Sequence, residues 1–203
     1  MKRADNLYPK ISDFNNLRIA YLKAVRHKRL SPSALNFDRN ADHNLCAIKK
    51  KLDSCSYTMQ PYRQFKIYDP KERVITAAAF EDRIVHHAIM NVLESVFERQ
   101  FIFHSYACRK GKGLHKALSY VSSKARACRY FLKLDVRKYF DSISHAKLKE
   151  LLCRIIKDGH CLNLLFFIID SYEVALKDKD SFGLPIGNLT SQFFANYYLS
   201  PLD

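Results

Sequence analysis

The chain has 203 residues, 48% of them hydrophobic and 13% aromatic, which excludes a disordered tail and allows one substantial core. Lys and Arg outnumber Asp and Glu by 34 to 20, and the formal net charge of +14 favours a polyanionic partner, nucleic acid above all, over an acidic small molecule. The six cysteines form no CxxC pair and no ligand spacing with the histidines, so we expect reduced thiols in a cytoplasmic protein without zinc. No apolar run approaches the roughly 20 residues that span a bilayer, so we expect no membrane association.

The first elements are helical and then extended. Apolar spacing predicts helices over about residues 11–52. Two extended segments follow, at residues 63–68 and 73–76, and the turn signal Asp69-Pro70 joins them. The sequence therefore predicts a hairpin that carries Lys66 and Arg73.

A long amphipathic helix and a basic loop come next. The helix places five apolar side chains on one face: Val85, Ala88, Ile89, Val92 and Val96. The loop, residues 109–113, sets Arg109, Lys110 and Lys112 around two glycines, a composition suited to phosphate contact. Residues 101–134 contain eight Lys or Arg and no Asp or Glu, so the positive charge is concentrated in a patch.

An alternating segment at residues 131–136 predicts a strand with Asp135 at its carboxyl end, facing away from the core. A lone aspartate after a strand is ordinarily a turn or cap residue. Apolar residues at helical spacing then follow Ser144, which is expected to cap that helix. A second apolar helix comes next, and a Pro-Gly turn leads into a last helix from about Leu189. Pro201 is expected to end that last helix.

The order of these parts resembles the bacterial reverse transcriptases, and among them most closely those of diversity-generating retroelements. The motifs that carry the resemblance run from about residue 7 to residue 203: "RVITAAAFEDRIVHHAIMNVLESVFERQF", "SYACRKGKGLHKAL", "LDVRKYFDSI" and "IGNLTSQ". The resemblance implies an α+β fold, helix-rich with a small antiparallel sheet, built as the fingers and incomplete palm of a right-hand polymerase. It implies an amino-terminal helical extension at residues 1–62, fingers at 63–128 and a partial palm at 129–203.

The resemblance also assigns the catalytic metal site. Asp135 and the backbone carbonyl of Val136 would be oxygen ligands for Mg²⁺, of which the complete enzyme uses two ions for transfer to a primer 3'-hydroxyl. Phe140 matches the bulky residue beneath the sugar, where an aromatic ring excludes a 2'-hydroxyl. Asp141 remains a turn or cap residue, because the family's metal site does not require it.

Other matched positions would bind nucleotide, template or primer. Lys66 and Arg73 would lie over the triphosphate of the incoming dNTP. Gly187 would let the nucleobase approach closely. Five residues would contact template or primer: Arg109, Lys110, Lys112, Ile186 and Gln192. Ile186 replaces the usual glutamine, so we expect relaxed base selection and error-prone synthesis.

The family's YxDD hairpin and thumb have no counterpart before residue 203. With one of three expected carboxylates, this chain alone is expected to hold metal loosely and not to polymerise. An incomplete palm would also leave apolar surface uncovered, so self-association is expected.

Three other interpretations stay open. A retron or defence-type reverse transcriptase is the nearest enzymatic alternative, and a non-catalytic RNA- or DNA-binding module would use the same basic patch. A purely structural scaffold is the third. Partners implied by the resemblance are an RNA template, a DNA primer, dNTP and a small basic accessory protein.

Overall fold

The computed structural model describes residues 2–26, 28–68, 72–172 and 181–202. Its amino-terminal part is helical, as predicted. The helices are α1 (Tyr8–Ser12), α2 (Phe14–Val25), α3 (Pro32–Asp38) and α4 (Ala41–Asp53). The side chains of Asp13 and Ser31 begin α2 and α3, because each accepts a hydrogen bond from a first-turn N–H group.

One antiparallel hairpin follows, made of β1 (Arg63–Tyr68) and β2 (Glu72–Ala77). It confirms both predicted strands and the small antiparallel sheet. The predicted turn at Asp69 and Pro70 lies outside the described residues. Most side chains of the hairpin are exposed, but β2 becomes buried at Thr76, where the strand meets the rest of the protein.

Helix α5 (Phe80–Glu98) runs through the core. Of its predicted apolar face, Val92 is half-buried and the other members are buried: Val85, Ala88, Ile89 and Val96. The helix packs against α2 and against α9 (Leu189–Leu199). The ring of Phe97 lies 6.1 Å and 6.2 Å from the rings of Phe193 and Phe194, which joins α5 to α9.

Two further helices precede α9, namely α7 (His145–Ile155) and α8 (Gly159–Asp170). Ser144 caps α7 as predicted, by accepting a hydrogen bond from the Lys147 N–H group. The Tyr197 hydroxyl of α9 donates to the Leu151 carbonyl of α7 at 2.9 Å. Helix α9 ends at Leu199, two residues before Pro201, as Pro201 predicts.

The strand predicted at residues 131–136 is wrong for this structure, which has no regular secondary structure there. The apolar side chains of the segment are exposed, with Phe131 90%, Leu132 82% and Leu134 81% accessible. The preceding helix, α6 (Leu114–Ala125), likewise has no buried residue. Alternation supplies a strand's two faces, but a strand also needs a neighbour for its backbone hydrogen bonds, and the described residues provide none.

The described part of the chain is therefore helix-rich with one small antiparallel sheet, and its core is formed mainly by α2, α5, α7, α8 and α9. None of the helices in these residues combines the length and the apolar character needed to cross a membrane.

Candidate nucleotide and template site

The turn before α9 lies directly against the hairpin. The Thr76 N–H group of β2 donates to the Ile186 carbonyl at 2.9 Å. Gly187 has φ +129°, and a Cβ atom there would lie 3.1 Å from Ile75 Cγ2 and 3.2 Å from the Thr76 carbonyl oxygen. Both the backbone conformation and the close approach therefore require glycine.

The same turn is bound to a 3₁₀ turn that contains Phe140 (Phe140–Ser142). The Leu184 N–H group donates to the Phe140 carbonyl at 3.0 Å, and the Gly183 N–H group donates to the Ile143 carbonyl at 2.9 Å. The Phe140 ring is half-buried and packs 5.9 Å from the ring of Tyr139. Phe140, the Gly187 turn and strand β2 thus form one connected unit.

The two hairpin cations lie on opposite faces of the sheet. Lys66 is paired with Val74 across the strands, and Arg73 is paired with Ile67. Because side chains alternate between faces, Arg73 shares the face of Ile75, the residue that contacts Gly187. Lys66 is on the other face, where it forms a 2.6 Å ion pair with Glu72. Arg73 is therefore the better placed of the two to reach a ligand beside the Gly187 turn.

A buried aspartate anchors the segment that leads into the hairpin. Asp82 of α5 accepts hydrogen bonds from the Tyr57 hydroxyl at 2.6 Å and from the Gln60 N–H group at 3.0 Å. Burial raises the pKa of Asp82 above its ordinary value, although these hydrogen bonds act in the opposite direction. Burial also raises the pKa of Tyr62, whose hydroxyl accepts from the Asn188 amide at 3.3 Å. The start of the hairpin is thereby fixed to both α5 and the Gly187 turn.

Asp135 is exposed and forms no hydrogen bond or ion pair with the described residues. Its carboxylate and the Val136 carbonyl are hard oxygen donors of the kind Mg²⁺ prefers. The described residues nevertheless contain no group of three or more His, Cys, Asp or Glu that could hold a metal ion. One carboxylate does not make the two-ion site that the resemblance implies, so the residues present fit only a part of it.

The basic loop is attached to the end of α5 and to the segment after it through Arg109. The Arg109 guanidinium binds the Glu98 carboxylate at 2.9 Å and donates to the carbonyls of Ile102 and Ser105, and its side chain is only 9% exposed. These contacts make Arg109 a structural anchor of the loop in this conformation. A template contact by Arg109 would require breaking them.

The other predicted template residues are more accessible. Lys110 pairs with Glu94 at 2.6 Å but remains 79% exposed, and Lys112 donates to the Phe103 carbonyl while lying over the Phe103 ring. Gln192 is exposed on the first turn of α9, five positions after Gly187. Gln192 therefore lies beside the Gly187 turn, whereas the two lysines belong to the separate basic loop.

The structure also reveals a cationic cleft that sequence reasoning missed. Gly187 and Gln192 line it together with cations from the end of α2, the segment after it and α5, principally Lys23, Lys28 and Arg83. These cations are distant in sequence and follow no local spacing. Only the packing of α2 and α9 against α5 brings them together.

Comparison with known proteins identifies the family. Residues 47–203, more than half of the chain, match the family model described as "Reverse transcriptase (RNA-dependent DNA polymerase)". The "Uncharacterized 91 kDa protein in cob intron" of Schizosaccharomyces pombe is 31% identical over 91% of this chain, and the "Group II intron-encoded protein LtrA" of Lactococcus lactis subsp. cremoris is 29% identical over 91%. The chain spans 24% and 32% of the lengths of these two relatives.

Solved structures agree at the level of the fold. A chain of the "Partial Cas6-RT-Cas1--Cas2 complex" aligns with a TM-score of 0.62 and 18% identity, covering 98% of this chain and 35% of that one. At this identity the likeness concerns the fold alone. The residue-level match over most of the chain is that of the family model, and this protein belongs to the reverse transcriptase family.

Proposed function

We propose that the chain comprises the fingers (residues 63–128), the first part of the palm (129–203) and an amino-terminal helical extension (1–62) of an RNA-directed DNA polymerase. The observation that carries the proposal is the contact between β2, the Gly187 turn and Phe140. This contact joins the hairpin, which would cover an incoming nucleotide, to the Gly187 turn and Phe140, which would lie beneath that nucleotide. The partners are an RNA template, a DNA primer and dNTP.

In this proposal each residue of the connected unit has a chemical task. Arg73 binds the triphosphate, since its guanidinium is on the Gly187 side of the hairpin and matches phosphate oxygens bidentately. Phe140 blocks the 2'-hydroxyl of a ribonucleotide. Lys66 is on the opposite face of the hairpin, and it adds positive charge when a phosphate replaces Glu72 as its ion-pair partner.

Asp135 and the Val136 carbonyl would bind Mg²⁺, which in such enzymes activates the primer hydroxyl and neutralises the triphosphate. Asp135 is the only carboxylate that this chain contributes in the proposal. We therefore propose that the 203-residue chain does not polymerise by itself and that further carboxylates complete the site in the whole protein.

Primer extension on an RNA template tests the proposal. The 203-residue chain is compared with the genomic reading frame extended to the length of the relatives, and in the extended protein Asp135→Ala is compared with Asp141→Ala. We expect extension only by the longer protein, loss of at least about a thousandfold with Asp135→Ala, and near-normal activity with Asp141→Ala. Extension by the 203-residue chain, or equal effects of the two substitutions, would contradict it.

We propose a diversity-generating retroelement as the genetic setting, on the strength of Ile186 and Gln192 in "IGNLTSQ", with cytoplasmic location and a small basic accessory protein. The second candidate is an intron-encoded reverse transcriptase, which the names of the Lactococcus and fission-yeast relatives favour. In the extended protein, Ile186→Gln should lower misincorporation in the first case. An unchanged misincorporation spectrum would contradict the assigned role of Ile186.

A further inference from the structure

The cationic cleft lies between the end of α2, helix α5 and the first turn of α9. It has a volume of about 250 Å³, and the basic side chains that line it are Lys23, Arg26, Lys28 and Arg83. No Asp or Glu is among its described lining residues. A concentration of positive charge on a concave surface attracts anions, because the low-dielectric walls focus the field.

The cations of the cleft have no compensating carboxylate in the described part of the chain. Lys23 donates to the Asn91 side-chain oxygen, a neutral acceptor. Arg83 packs 5.1 Å above the Phe80 ring, and its Nε atom is buried without a hydrogen-bond partner among the described residues. An unpaired buried donor on a charged group is unfavourable, so a ligand that accepts from Arg83 would be stabilised.

The electrostatic state of the neighbouring groups agrees with this description. Burial and the charge of Arg83 together lower the pKa of Lys28. Burial, Lys23 and Arg83 likewise lower the pKa of His87, which also lines the cleft. Positive charge therefore dominates the cleft, and a bound anion would offset the repulsion among these basic groups.

A buried histidine lies at the same place. His86 lines the cleft and is only 2% exposed, and its Nδ1 atom lies 2.8 Å from the Thr190 hydroxyl. Its Nε2 atom is buried with no partner among the described residues. Because Nε2 is shielded from solvent, His86 reports on the cleft from beside it and is not counted among the groups that contact a ligand.

The cleft continues into a larger groove. Lys28 and Arg83 also line an adjoining cavity of about 750 Å³, together with Arg63 at the start of β1. Glu81 is the acidic residue of that cavity and is bound by Gln60 at 3.1 Å. Basic side chains thus extend from one cavity into the next, and such a row of fixed positive charges suits an extended polyanion better than a small anion.

We propose that this cleft binds one phosphate group of the RNA strand, with Lys23, Lys28 and Arg83 as its donors. The proposal rests on the function proposed above, in which RNA is the template. Gly187 and Gln192 border the cleft, so a phosphate held there would set the position of the strand relative to the nucleotide site.

Salt-dependent RNA binding by the 203-residue chain tests the proposal. Binding of an unstructured oligouridine RNA is measured over a range of salt concentrations for wild type and for Lys28→Gln/Arg83→Gln. Loss of one phosphate contact should reduce the slope of log K against log salt by about 0.7 and the low-salt affinity by about tenfold. The control is Lys147→Gln/Arg154→Gln, which removes the same charge from α7, where both cations pair with Glu150.

A slope that changes equally in both double variants would overturn the proposal, because it would reflect net charge alone. Lys28→Gln alone covers the case in which Arg83→Gln fails to fold, and its expected loss is about threefold. A second experiment adds inorganic phosphate to the protein and records the imidazole ¹⁵N signals of His86 by NMR. Chloride at equal ionic strength is the control. A phosphate-induced shift without a change in the RNA slope would overturn RNA as the ligand.

The outcome is separable from that of the proposed function. If the extended protein fails to polymerise while the cleft variants still lower the RNA slope, the cleft stands and the polymerase assignment fails. If polymerisation succeeds while the slope is unchanged and phosphate shifts no His86 signal, the cleft assignment alone is overturned.

Discussion

Asp158 is a buried carboxylate that organises two parts of the chain through backbone hydrogen bonds. Its Oδ2 atom accepts from the N–H groups of Leu7 at 2.7 Å and Tyr8 at 2.8 Å, and its Oδ1 atom accepts from the Cys161 N–H group at 3.0 Å. Burial acts to raise the pKa of Asp158, but the three N–H groups outweigh it and hold the pKa below its ordinary value. The ionised form therefore stabilises the start of α8 and the amino-terminal segment together.

Asp158→Asn should lower the free energy of unfolding by about 2 kcal/mol, because the amide keeps one acceptor oxygen while its NH2 group faces an N–H donor at the other position, and the charge is lost. Asp13→Asn is the matched control, since Asp13 caps α2 with a single exposed hydrogen bond and asparagine caps nearly as well. Urea denaturation of both variants makes the measurement. Equal losses in the two variants would mean that the charge and the additional hydrogen bonds of Asp158 add nothing measurable to stability.

His86 makes stability depend on pH. Burial lowers its pKa to about 3, with a smaller contribution from His87, so the folded protein keeps it neutral where the unfolded chain binds a proton. The unfolded state then holds more protons between about pH 6.5 and pH 3, and stability falls as the pH is lowered through that range.

We expect His86→Asn to reduce this pH dependence by as much as about 1.4 kcal/mol per pH unit, because asparagine does not titrate. Unfolding free energies at pH 7, 6 and 5, measured with urea, test this expectation. His43→Asn, at an exposed position of α4, is the control and should leave the slope unchanged. A slope in His86→Asn that equals the wild-type slope would contradict the assignment.

At the scale of elements, the contact between β2 and the Gly187 turn links the hairpin to the segment that precedes α9. One backbone hydrogen bond and one close glycine approach define it. The contact leaves no room for a Cβ atom, so a small substitution there tests the whole junction.

Gly187→Ala should destabilise the protein by about 2 kcal/mol and lower the activity of the extended enzyme by at least about tenfold, since φ +129° and contacts near 3.1 Å both oppose a methyl group. Gly159→Ala is the control, because nothing lies within 4 Å of a Cβ atom there. It should be neutral or slightly stabilising. Thermal unfolding and primer extension give the two readouts, and normal values for Gly187→Ala would show that the turn can move away from β2.

At the scale of the molecule, a net charge of +14 coexists with exposed apolar surface. That surface comprises α6, where Leu118 and Val121 are 52% and 59% exposed, and residues 130–136. Exposed apolar side chains favour association even though net charge opposes it.

We expect the 203-residue chain to self-associate in a concentration-dependent way, as measured by sedimentation equilibrium. Leu132→Lys/Leu134→Lys should shift it towards monomer by placing charge in the exposed segment. Leu30→Lys/Leu202→Lys adds the same charge at two other exposed leucines, which are 88% and 83% accessible, and should have no such effect. A wild-type chain that stays monomeric at every concentration would refute this expectation.

Local pattern alone determined most elements of this protein. The hairpin strands, the apolar face of α5, the Ser144 cap and the end of α9 before Pro201 were all predictable, because each depends on residues within a few positions of one another. The order of motifs likewise led to the family that the comparison shows.

Only the tertiary structure decided the features that depend on distant residues. Residues 131–136 alternate as a strand does, yet the described residues provide no neighbouring strand, so alternation was insufficient. Pairing with Glu98 made Arg109 an anchor of its loop, and strand register separated Lys66 from Arg73. The cationic cleft arises from segments some sixty and one hundred residues apart, which only the packing of α2 and α9 on α5 brings into contact.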